Sequence, residues 1–93
     1  MAVITALVLM NVQRARVNET AQALLALPGV AEVYSVTGEY DLVVVLRLAR
    51  YEDLAEVVTG KMTAIEGITR TQTLMAFKAY SREDLEQAWD IGV

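Results

Sequence analysis

The sequence predicts an α+β domain in which two strand–helix–strand units share one sheet. Three observations lead there. Apolar residues alternate every second position in some stretches and recur every third or fourth in others, the spacings of strands and helices. The punctuation repeats: Pro28-Gly29-Val30 returns as Glu66-Gly67-Ile68, a shift of 38 residues (66 − 28). The same shift carries Val3 onto Asp41, so the first strand maps onto the third. A right-handed crossover in each unit then puts those two strands side by side in the centre, with both helices on one face. This is the ferredoxin-like βαββαβ sandwich, with a four-stranded antiparallel sheet.

Each element has its own warrant. Residues 3–12 alternate as a strand. Residues 16–27 form a helix with Val17, Ala21, Leu24 and Leu25 predicted on its inner face. Pro28-Gly29 ends that helix, because glycine suits the left-handed position after a helix and proline cannot continue one. Residues 30–37 are the second strand and the run to about residue 48 is the third. Residues 51–65 form the second helix, with Leu54, Val57, Val58, Met62 and Ile65 inward, stopped by Glu66-Gly67. Residues 68–79 are the fourth strand. Ser81 followed by acidic residues looks like a helix N-terminus, which predicts a short C-terminal helix carrying Leu85 and Trp89 on one face.

The 93 residues suit a single domain, 1–93. No cysteine and no histidine are present, which excludes disulfides, thiolate chemistry, histidine acid–base catalysis and the common zinc sites. The net charge of −4 argues against direct nucleic-acid binding, which needs a basic face. No apolar run approaches the roughly 18 residues of a membrane span. The N-terminus lacks the basic start of a secretion signal, so a cytoplasmic protein is expected.

At 55% apolar, the chain is rich for its length. Helices cover one face of the sheet, and the other should then be polar in a monomer. The central strands disagree. Val3, Leu7 and Leu9 oppose Ile4, Ala6, Val8, Met10 and Val12 in the first; Leu42, Val44, Leu46 and Leu48 oppose Val43 and Val45 in the third. Both sides are apolar, so a homo-oligomer is expected, beginning with a two-fold dimer packed sheet to sheet. A charge at Val8 or Val43 is expected to break it.

The candidate site begins at Thr37-Gly38-Glu39-Tyr40-Asp41, a polar turn running into the most apolar strand of the chain. A carboxylate beside a dry core needs donors. Asp41 therefore either caps its own turn or forms half of a polar binding site. The fourth strand alternates Thr69, Thr71, Thr73 and Met75 against Arg70, Gln72, Leu74 and Ala76. Threonine favours strands for steric reasons alone, and a row of hydroxyls also suits a small zwitterion.

The Leu27-Pro28-Gly29-Val30 stop, the 37–41 turn and the Gly67-Ile68-Thr69-Arg70-Thr71-Gln72-Thr73 strand entry resemble the ligand-binding (RAM) domain of Lrp/AsnC transcription regulators. The likeness runs from about residue 3 to residue 79. It implies sheet-to-sheet dimers, rings of dimers, and small effectors, usually amino acids, bound between neighbouring dimers. Carried over, Gly38 admits backbone N–H groups to a carboxylate, and Asp41 organises the turn or pairs with an ammonium. Thr71 and Thr73 bond the head group, and Tyr40 borders the side-chain pocket, with Thr37 and Glu39 completing the turn. No cofactor is implied. Members typically begin with a DNA-reading helix-turn-helix domain, whereas a strand here starts at residue 3. The sequence thus resembles a stand-alone module that acts through protein contacts, with full-length relatives as partners.

Three other readings use the same frame. Cofactor-free enzymes of the dimeric α/β-barrel type need an acid–base group, for which Asp41, Tyr40 and Lys78 are the candidates. An ACT-type module would bind similar effectors but assemble side by side. A purely structural oligomer would bind nothing.

Overall fold

The computed structural model describes residues 3–80 and 82. The predicted helix from Ser81, with Leu85 and Trp89, lies outside the described residues.

Strands β1 (Ile4–Val12), β2 (Val30–Ser35), β3 (Leu42–Leu48) and β4 (Ile68–Ala76) form one sheet in the order β2-β3-β1-β4, antiparallel throughout. Helix α1 (Val17–Leu25) follows β1 after a 3₁₀ turn at Arg14–Arg16. Helix α2 (Tyr51–Ala55) continues as a π-helical stretch, Glu56–Lys61, and a 3₁₀ turn, Met62–Ala64. The predicted second helix is therefore present but changes winding along its length.

The core lies between helices and sheet. Ala6, Val8, Met10 and Val12 of β1 and Leu42, Val44, Leu46 and Leu48 of β3 point into it, against Leu24, Leu54, Val57 and Met62. Two expectations need correction. Leu25 stays 53% exposed, and Thr20 takes the buried place on α1 instead, at 2%. The helix packs along its 17-20-21-24 stripe, which leaves position 25 at its edge. Val8 is fully buried under the helices and opposite Val44, so it is a core residue and not part of the open face.

The two chain stops have matched geometry. Gly29 and Gly67 both adopt positive φ, 87° and 100°, a conformation costly for any other residue. Each also ties its strand to a neighbour: the Gly29 carbonyl accepts from the Arg47 amide, and the Gly67 carbonyl from the Gln13 amide, both at 2.8 Å. The repeat is thus built into the backbone as well as the sequence.

On the open face, Leu7 lies between Val45 and Leu74, and Leu9 between Val43 and Gln72. Leu7, Leu9 and Val43 are half-buried and Leu74 is exposed. No helix of the described residues is long and apolar enough to cross a membrane.

Candidate functional site

The 37–41 turn sits where β2 returns into β3, beside the end of β1. Asp41 anchors it three ways. Its amide donates to the Met10 carbonyl (2.9 Å), its carbonyl accepts from the Val36 amide (3.0 Å), and its Oδ2 accepts from the Val12 amide (2.8 Å). That last bond falls where the β1–β4 ladder shifts register, between Asn11 and Val12. The Val12 amide points the same way as the Met10 carbonyl, toward β3. The pairing of β3 with β1 ends at Met10 and Leu42, and the carboxylate supplies the acceptor that the ladder no longer does. Asp41 thus caps a neighbouring strand, not its own turn, and one carboxylate oxygen is committed to that task.

Two further contacts hold the turn over the open face. Asn11 Nδ2 donates to the Glu39 carbonyl at 2.7 Å. The Tyr40 hydroxyl donates to Gln72 Oε1 at 2.5 Å, and the Arg70 guanidinium lies 5.3 Å from the Tyr40 ring centroid, within cation–π range. Gly38 takes φ 111°, and a Cβ built there meets nothing within 4 Å. The glycine therefore serves the backbone angle, and the space beside it is open. Among the described residues, the amide N–H groups of Thr37, Gly38, Glu39 and Tyr40 find no acceptor. Successive unpaired amides can receive an anion where they converge, and the Arg70 guanidinium over the Tyr40 ring adds a cation to this corner.

The threonines point elsewhere. Thr71 is paired with Met10 and Thr73 with Val8, which places both on the helix side of the sheet. There they line two adjoining hollows beside α2 and its π-helical continuation. Thr71 shares one of about 230 Å³ with Met62 and Thr63; Thr73 shares another of about 200 Å³ with Leu54 and Ala55; Val58 borders both. Within one chain, then, the structure joins Thr37, Gly38, Glu39, Tyr40 and Asp41 but separates them from Thr71 and Thr73 by the thickness of the sheet. Asn11, Arg70 and Gln72 were missed as site residues. Strand pairing would have found them, since alternation alone puts Arg70 and Gln72 on the face opposite the threonines.

A second polar cluster lies elsewhere on the open face. The Tyr34 hydroxyl donates to the Glu32 carboxylate, and Arg47 reaches it at 3.5 Å. The Tyr34 bond holds the Glu32 carboxyl below its ordinary 4.5, and the same bond raises the Tyr34 hydroxyl above 10.0. Among the described residues no group of three or more acidic, histidine or cysteine side chains is arranged to hold a metal ion.

The chain is an α+β domain of ferredoxin-like architecture with a glycine-bearing turn at its open face. The chain belongs to the Lrp/AsnC ligand binding domain family, whose model matches residues 5–85. Over 85% of its length it resembles the crystal structure of TTHA0845 from Thermus thermophilus, at 52% identity and a TM-score of 0.80, covering 99% of that chain. It is 34% identical over 77 residues to the HTH-type transcriptional regulator FL11 of Pyrococcus furiosus, a match that spans 83% of this chain and 50% of that protein. A transcriptional regulator of Neisseria meningitidis, solved as its L-Met complex, shares the fold at a TM-score of 0.75 and 17% identity over 85% of this chain and 53% of that one. The chain spans about half the length, or slightly less, of the curated relatives it matches.

Proposed function

We propose that this module binds a small effector, an amino acid, and assembles through its open sheet face, acting on transcription by protein contacts without touching DNA itself. Its partners are further copies of itself and full-length Lrp/AsnC relatives. The observation that carries the effector reading is the 37–41 turn, with free amides at residues 37 to 40, Arg70 beside it and open space at Gly38. Unpaired amides with a cation beside them suit a carboxylate. The second oxygen of Asp41 is the acceptor for the ammonium group.

The division of the predicted site fits a pocket shared between subunits. A turn on one face and threonines on the other cannot grip one small molecule within a chain. A neighbouring copy that offers its threonine side to this turn completes the set. The L-Met complex of the Neisseria regulator supports the ligand class for a protein of this fold.

The test is a melting screen against the twenty amino acids. A ligand at a hundredfold excess over its dissociation constant stabilises by about 2.7 kcal/mol. We expect one or a few amino acids to raise the melting temperature. Thr71→Val should remove the shift while leaving the ligand-free melt unchanged, since the Thr71 hydroxyl makes no bond among the described residues. No shift with any amino acid would leave a structural oligomer as the reading.

A further inference from the structure

We infer that the segment after β4, beginning at Phe77, docks into the groove between α2 and β4 of a second copy of this chain, making a contact separate from the open sheet face. Phe77 is 98% exposed and Tyr80 is 74% exposed, two aromatics close in sequence that find little cover among the described residues. An exposed aromatic pair on a short segment marks an interaction site. The receiving surface is the hollow of about 200 Å³ lined by Tyr51, Leu54, Ala55, Val58, Thr59 and Thr73, which has room for a phenyl ring. No charged side chain lines it.

Phe77 cannot reach this hollow in its own chain. Thr73 is the β4 residue that borders it, and β4 runs on extended through Ala76. At about 3.3 Å per residue, Phe77 is carried roughly 13 Å past Thr73. There it borders a different hollow with Val3 and Thr5.

Charge matches the two surfaces. Lys78 lies between the two aromatics and Arg82 follows them; Lys78 forms no ion pair among the described residues and lies over the Tyr80 ring at 5.0 Å. The first turns of α2 carry Glu52, Asp53 and Glu56. Arg50 pairs with the first two, at 3.9 and 3.4 Å, and this end of the helix stays net acidic, with Glu52 on the helix stripe of Ala55 and Thr59 of the hollow. A ring seated between Ala55 and Val58 brings the neighbouring Lys78 toward Glu52. The second copy is therefore the favoured occupant, since it offers an apolar hollow and an acidic rim together.

The chain has no cysteine, so engineered pairs report cleanly. Glu52→Cys and Lys78→Cys chains, each exposed and folded by circular dichroism, are mixed and oxidised. The expected product is the hetero-linked dimer, at least fivefold over either homo-linked one. Adding Phe77→Ser to the Lys78→Cys chain should abolish it, and Phe77→Ser alone should lower the oligomer mass in sedimentation. Homo-linked products in statistical proportion, or linkage indifferent to Phe77→Ser, would overturn the contact. So would a double-substituted chain that links only within itself.

Discussion

The two halves of the repeat place their helices differently over their outer strands. In the first half, α1 is regular and Val30 and Val33 of β2 are drawn against the core. In the second, α2 gives way to π-helical winding, and every residue of β4 after Ile68 is exposed. Helix-side positions of β4 carry threonines where β2 carries valines. Both units of the duplicated frame contribute to the core, and the difference teaches that only the second leaves a groove between its helix and its outer strand. π-helical segments recur at functional sites for a related reason: they cost stability and persist where geometry is needed.

The contrast between covered and open sheet surfaces yields the largest expected effect. Val8→Asp buries an unpaired charge under both helices and should cost on the order of 4 kcal/mol or more, enough to unfold a domain this small. Val43→Asp, on the open face, should leave the circular dichroism spectrum native and lower the mass measured by light scattering. Equal behaviour of the two variants would erase the distinction between the faces.

The glycines sharpen the comparison at the next scale. A Cβ at Gly29 would overlap Leu48 Cδ2, besides the strained φ of 87°. At Gly38 only the angle is at stake. Gly29→Ala should cost about 3 kcal/mol and Gly38→Ala about 1 kcal/mol, read from urea melts. Asp41→Ala falls between them at about 2 kcal/mol, because the buried end of β1 loses its acceptor at Val12. That makes Asp41 a poor probe of ligand binding, and Thr71→Val the better one.

The smallest effect concerns the Glu32–Tyr34 pair. A carboxyl held below 4.5 adds stability that is present above that value and lost as pH falls through the lower folded one. A hydroxyl raised above 10.0 adds stability present below 10.0 and lost as pH rises through the folded value. Tyr34→Phe should therefore flatten the melting profile slightly at both ends of the pH range. Both groups face solvent, so a shift of more than about a degree or two would point to burial of this corner in the assembly.

Much of the fold was legible because apolar period and glycine punctuation are local. Gly29 and Gly67 marked both strand starts, and the 38-residue shift placed β1 beside β3. Leu25 was misread because a helix stripe has an edge that spacing alone does not locate. Val8 was misread because a sequence shows two apolar faces without saying which one the helices cover. The turn was legible as a turn, but not the partner of Asp41. That partner depends on where the pairing of β1 with β3 ends, between residues far apart in the chain. The threonine row was legible as a row, while its side of the sheet followed only from pairing with Val8 and Met10.

The strand order also governs when the molecule can form. β1 is made first and holds the centre of the sheet, flanked by β3 and by β4, the last strand. One of its edges stays bare until residues 68–76 have followed it. Pairings this distant in sequence close slowly. During that wait, β1 and β3 offer apolar strands to any neighbour with the same gap. A central strand that must wait for a distant partner is exposed to other copies while the sheet is still incomplete, so the bare edge of β1 is where misfolding by strand exchange would begin.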